Sequence, residues 1–289
     1  MGLGPAAIKL NLELWARGQF RGTHSVMDMG LQELQICPAD FQQLLQAARL
    51  PVYEKEKLLA LQEGPKGICP SRSFYEALGI KDYACIAPGR GQGTIQFDLN
   101  CPLEDKSLYG RYDLVTDYGN NECVFNTCEA FRTIHRLCSV GGVLVMSQNA
   151  YRGKGLYAYD PSFLEGMASA NNYKILFSSF VITMHNPTEA GHSCQYHVPL
   201  SWGLMDTFDW TRIEGLEVCY VMQKQSASDF CVSYQGVFFS NNQTHHGYRL
   251  NYSQNPPARA YVPVHTLDMI PDGEMLLDLR RRLYSKFKR

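Results

Sequence analysis

Between residues 24 and 146, short apolar runs alternate with amphipathic segments, and this alternation limits the fold of the 289-residue chain more than any other feature. The runs at 24–29, 81–86, 94–97, 112–117 and 143–146 read as strands, each closed by a glycine, proline or polar turn residue or by a helical pattern. Residues 39–63 carry two helical patterns, ADFQQLLQAARL and EKEKLLALQ, broken at Pro51. Ser71 to Leu78 reads as a helix stopped by Gly79. Val124 to Cys138 reads as another, with Phe125, Ala130, Ile134 and Leu137 on its apolar face. A lead-in helix is expected over 5–19, a helix over Pro161 to Asn171, and long strands over 174–183 and 216–224. Strands alternating with helices predict an α/β fold, a mostly parallel sheet covered on both faces. Residues 185–215 and 226–289 are richer in Tyr, Asn, Gln, His and Pro. They read as loops and short strands forming a cap, a substrate face or a subunit contact in a homodimer, with a helix over Asp272–Lys286.

Composition narrows the partners. A net charge of −1 argues against a broad nucleic-acid footprint. The basic residues Arg280, Arg281, Arg282, Lys286, Lys288 and Arg289 read as a solvated helix end. None of the ten cysteines has C-x-x-C spacing, and several lie in apolar runs, so most are expected to be buried free thiols in a reducing compartment. His245, His246 and His265 with Cys231 are a weak metal pattern, and no metal is expected. No secretory signal pattern and no bilayer-length apolar run are seen, so a cytoplasmic location is expected.

The polar residues of interest cluster at strand ends. Asp28-x-Gly30 follows the first strand, Asp98-Leu99-Asn100 the third, and Asp113 and Asp117 bracket the fourth. In an open parallel sheet, ligands sit at the carboxyl ends of the strands. A nucleotide pyrophosphate would call for G-x-G-x-x-G, and only one of those glycines is present. One glycine among several acids suits a cationic ligand without phosphates.

Those motifs resemble the class I S-adenosylmethionine-dependent methyltransferases, in particular a bacterial small-molecule branch. The matching stretches are DMGLQE from Asp28 to Glu33, DLN from Asp98 to Asn100, and YDLVTDYGNNECVFN from Tyr112 to Asn126. FRTIHRLCSVGGVLVM and YAYDPSFLEGMASANNYKI follow in the same order, so the resemblance covers about residues 20–225. It implies a Rossmann-like sheet of seven strands in a methyltransferase domain over 1–225, with an extension over 226–289; the segment between the first two strands, about 34–80, is longer than in that pattern and suggests a helical lid inserted at 34–72. It further implies S-adenosylmethionine as cofactor, S-adenosylhomocysteine as product and a small-molecule methyl acceptor. Asp28, Gly30, Gln32, Asp98, Leu99 and Asp117 would contact the cofactor, while Tyr118, Asn149, Tyr151 and Tyr157 would line the acceptor pocket. Asp117, Glu122 or His185 could act as a base toward a hydroxyl acceptor; an amine that is already deprotonated would need none.

The chain departs from that pattern at Ala87, where the family carries a ribose-gripping acid after the second strand, and at Cys123, where the branch has His. A protein that keeps the fold without the catalysis is therefore a second reading. Asp113 is expected to be structural, and His135 a satisfied histidine.

Overall fold

The computed structural model describes residues 2–61, 70–89, 93–153, 155–185, 193–200 and 210–233. In chain order the strands are β1 Gly2–Leu3, β2 Ser25–Met29, β3 Glu33–Leu34, β4 Asp82–Ala87, β5 Thr94–Gln96, β6 Tyr112–Tyr118, β7 Cys138–Tyr151, β8 Tyr173–His185, β9 Ser193–Val198 and β10 Ile213–Lys224. The α-helices are α1 Pro5–Ala16, α2 Pro38–Ala47, α3 Val52–Ala60, α4 Ser71–Ala77, α5 Thr127–Leu137 and α6 Pro161–Ala170.

Eight strands form the main sheet in the order β5-β4-β2-β6-β7-β10-β8-β9. The pairings from β5 through β7 are parallel, whereas β10 runs antiparallel between β7 and β8, and β9 runs antiparallel to β8. This is a mostly parallel, Rossmann-like α/β sheet with an eighth strand, β9, beyond the expected seven. The chain order reverses between β2 and β6, which makes their carboxyl ends the switch point where such sheets bind ligands.

Successive residues in the central strands enter opposite cores, as a period of two requires. Val26, Leu114 and Val145 pack with α1 to α4, while Met27, Val115, Leu144 and Met146 pack with α5 and α6. Both faces are thus covered, as the near-continuous apolar strands demand. Helix α1 starts at Pro5, whose fixed φ suits a first turn, and it buries Ile8, Leu10, Leu12 and Leu14. Helices α2 and α3, within the expected lid, bury Phe41, Leu45 and Leu58 in the same core as α1 and α4.

Two boundaries and the cysteines differ from expectation. Helix α5 begins at Thr127, leaving Phe125 ahead of it and 77% exposed; Ala130, Phe131, Ile134 and Leu137 form its buried face. Gly141-Gly142 does not interrupt the fifth parallel strand, because β7 runs through it. A Cβ on Gly142 would sit 2.9 Å from the Ser139 carbonyl and 3.0 Å from that of Asp113, so only glycine lets the chain close in there. Among the described cysteines Cys85, Cys138 and Cys219 are buried, while Cys101, Cys123 and Cys231 are exposed, so fewer thiols fill the core than expected. The basic tail, the helix expected at 272–286 and the histidines 245, 246 and 265 lie outside the described residues. No described helix is long and apolar enough to cross a membrane.

Candidate functional site

Strand β2 ends in the turn predicted from Asp28-Met29-Gly30. Gly30 has φ +87° and donates its N–H to the Ile86 carbonyl at 2.8 Å. A Cβ there would lie 2.8 Å from Asn120 Oδ1, so the turn after β2 touches the loop after β6 and admits only glycine. Asp28 lies beneath this turn, fully buried, with both carboxylate oxygens engaged. Thr116 donates to Oδ1; Ser71 Oγ at 2.5 Å and Tyr83 OH at 3.0 Å donate to Oδ2. Burial raises its pKa to about 6 against the pull of those donors. Asp28 therefore positions the turn from below. Gln32 is buried and gives its Nε2 to the Met29 carbonyl at 3.0 Å, while its Oε1 has no partner among the described residues.

At the end of β5, Asp98 is exposed, and its Oδ1 accepts from Asn100 N at 2.9 Å and Nδ2 at 2.8 Å. These bonds hold its pKa below the usual carboxylate value. Leu99 is buried in the core beside this turn. Ala87 ends β4 buried and without a polar side chain.

The loop after β6 is held by several hydrogen bonds. Asp117 is buried and accepts from Asn120 N at 2.9 Å and Asn121 N at 3.4 Å, while its Oδ2 has no partner among the described residues. Burial raises its pKa to about 7. Glu122 is held from several sides. Its N–H donates to Gln148 Oε1, its carbonyl accepts from Leu156 and Tyr157, and Oε2 accepts from Asn149 N at 2.6 Å. Burial pushes the half-buried carboxyl up to about 6, and Glu217 adds to the rise.

Glu122 opens into a cavity of about 200 Å³ on the α1 side of the sheet, near the carboxyl ends of β6 and β7. Tyr118, Ser147, Asn149, Gln195, His197 and Glu217 also line it, and the segment from Gly2 to Ala7 roofs it. Tyr118 OH accepts from Asn11 Nδ2 at 2.6 Å, which ties α1 to β6. His197 is buried between Ser179 Oγ, 2.8 Å from Nδ1, and the Ala6 carbonyl, 3.0 Å from Nε2. Burial lowers its pKa to about 4, so it stays neutral. Ser147 Oγ donates to Glu217 Oε2 at 2.5 Å, and burial raises the Glu217 pKa.

The expected acceptor residues separate. Tyr118 and Asn149 share this cavity with Glu122. Tyr151 lines a different cavity of about 450 Å³ with Ala150, Tyr159, Phe180, Trp210 and Leu216, and it meets Trp210 edge-on at 5.2 Å. Tyr157 lines neither and donates its hydroxyl to the Phe125 carbonyl at 2.7 Å. His185 is the last residue of β8, and its side chain lies outside what is described. Asp113 is structural as expected: its Oδ2 accepts from His24 N, Ser25 N and Ser25 Oγ at the start of β2. His135 is satisfied by Tyr173 OH and the Ser228 carbonyl. Glu217 was not anticipated, although a carboxylate inside the apolar run LEVCYVM was a visible signal. Nothing local in the sequence singled out Ser147, Gln195 or His197.

No family model and no curated protein matches the chain. Solved structures do resemble it. One is a Burkholderia thailandensis 1,6-didemethyltoxoflavin-N1-methyltransferase with bound 1,6-didemethyltoxoflavin and S-adenosylhomocysteine, at 10% identity over 76% of this chain and 79% of that one, TM-score 0.41. A SAM-dependent methyltransferase from Archaeoglobus fulgidus matches at 9% identity over 76% and 94%, TM-score 0.41. The YcgJ protein of Bacillus subtilis matches at 12% over 76% and 99%, TM-score 0.40. The fold assignment rests on the strand order itself.

Proposed function

We propose that the chain transfers a methyl group from S-adenosylmethionine to a small-molecule acceptor held in the 200 Å³ cavity. The observation that carries this reading is the convergence of the Asp28-x-Gly30 turn and the Glu122 loop at the switch point, where Gly30 and Asn120 touch. The residues present fit the cofactor at one end. Gly30 brings main chain to the cleft without a Cβ, and Asp98 offers an exposed carboxylate at the end of β5. Ala87 leaves the ribose without its usual acid, so the remaining contacts bear the binding.

When bound, the cofactor supplies an electrophilic methyl carbon on a sulfonium whose leaving group is a neutral thioether. The chain's own contribution is to position and to handle protons. Gly30 and the turn at Asp98-Leu99 would hold the cofactor, with Asp28 fixing the turn after β2 from below. Tyr118 and Asn149 orient the acceptor, and the α1 segment covers it from water. Orientation of this kind accounts for several kcal/mol of a barrier. Glu122, with its pKa near 6, is matched to take a proton at neutral pH. Asp117, buried behind the loop, holds the loop in shape. Ten cysteines without C-x-x-C spacing, several of them in apolar runs, suit a reducing, cytoplasmic setting.

Calorimetric titration with S-adenosylhomocysteine, beside NAD, tests the reading. Binding of the first alone is expected, and binding of neither overturns it. Ala87 favours a second reading, a non-catalytic protein on the same fold. That reading predicts no methylated product from any acceptor that binds.

A further inference from the structure

The cavity that receives the acceptor has a marked charge character. Two carboxylates from different elements line it: Glu122 from the loop after β6, and Glu217 from the middle of β10. Both open into the one cavity, and the Glu217 charge adds to the rise in the Glu122 pKa. No lysine or arginine lines the cavity among the described residues. The one histidine lining it, His197, has both ring nitrogens engaged. The remaining polar lining is neutral amide, hydroxyl and thiol: Gln35, Gln195, Asn149, Ser147, Tyr118 and Cys219. Two like charges brought together out of water repel and lose solvation, an arrangement that a cationic ligand relieves. The geometry is also prepared in advance. Glu122 is held by the Asn149 N–H, and Glu217 by the Ser147 hydroxyl, each through one oxygen, and among the described residues the second oxygen of each is left for another partner. At about 200 Å³ the cavity is smaller than the roughly 300–1,000 Å³ of drug-sized pockets.

We infer that this cavity takes a small primary or secondary amine, bound as its ammonium between Glu122 and Glu217. The inference rests on the methyl-transfer reading above and names the acceptor atom as nitrogen. In the reaction, Glu122 takes one proton from the ammonium and frees the nitrogen lone pair. That pair forms the N–C bond to the methyl carbon as the S–C bond breaks, and the electrons of the broken bond stay on sulfur. The methylated nitrogen keeps its remaining protons and leaves as a cation, held until release by Glu217.

The test is calorimetric titration of the full chain at neutral pH with benzylamine and n-butylamine, each beside its alcohol, benzyl alcohol and n-butanol. At least one amine is expected to bind about tenfold or more tightly than its alcohol. Glu217→Gln and Glu122→Gln, checked for an unchanged near-ultraviolet spectrum, are each expected to erase most of that preference. Equal binding of amine and alcohol, no binding of either amine, or full preference in folded Glu→Gln variants would overturn the inference. The comparison on the unsubstituted chain stands even where a variant fails to fold. S-adenosylhomocysteine titrated separately keeps the two ideas apart. Its binding without amine binding removes the amine and leaves methyl transfer standing. Amine binding without it keeps the cation pocket and removes methyl transfer.

Discussion

Asp28 joins stability to the site at the scale of a single residue. Its carboxyl is buried among Ser71, Tyr83 and Thr116, and its pKa rises from 3.8 to about 6. The native state then holds a proton that the unfolded chain releases between about pH 4 and 6. Stability is expected to fall as pH rises through that window, by on the order of 3 kcal/mol at most from this group. Asp117, near 7, extends the fall toward neutrality. Asp28→Asn should flatten the slope, as read from urea midpoints at pH 4.5 and 6.5; an unchanged slope would assign the proton elsewhere. Gly30→Ala is expected to cost about 1–3 kcal/mol, because it forces φ +87° on an L residue and a Cβ onto Asn120. The same variant should weaken S-adenosylhomocysteine binding, and wild-type values in both measurements would remove the turn from the site. The need for Gly30 was legible from its place after a strand. The hydroxyls that surround Asp28 were not, since Ser71 and Thr116 are distant in sequence and meet it only when β2, β6 and α4 pack.

Element by element, the helices owe their limits to caps from elsewhere as much as to their own residues. Asp160 caps α6 locally, accepting from Ser162 N at 2.9 Å with Pro161 in the first turn, and this start was readable. The end of α5 is closed by Lys224, whose Nζ donates to the carbonyls of His135 and Cys138 at 2.6 and 3.0 Å. That lysine is supplied by β10, so no local pattern announced it. Lys224→Met removes a charge from the helix C-terminus and takes a buried donor from two carbonyls. We expect a loss of about 1–3 kcal/mol in urea unfolding with little change in ligand affinity. The β7 strand was expected to start after Gly141-Gly142 because paired glycines commonly mark a turn. Tertiary contact with Ser139 and Asp113 turns them into a close approach inside the strand.

For the molecule as a whole, the N-terminal segment is both core and roof. Ile8, Leu10, Leu12 and Leu14 are at most 2% exposed, and burying such side chains contributes about 1.5–3 kcal/mol each. Their sum is comparable to the roughly 5–15 kcal/mol that holds a domain folded. Deleting residues 2–16 is therefore expected to abolish cooperative unfolding, followed by circular dichroism. A truncated chain that still melts sharply would show that the sheet stands without its roof.

The alternation of strand and helix, the positions of the parallel strands and the turns at Gly30 and Asn100 were all determined by the sequence itself. Each depends on residues close together in the chain, through period, propensity and backbone freedom. Tertiary structure alone decided which polar groups face one another. It set β10 between β7 and β8, so that Glu217 came to share a cavity with Glu122 while Tyr151 was carried to another. Contacts between residues 95 positions apart arise from strand order and register, and no local pattern encodes them.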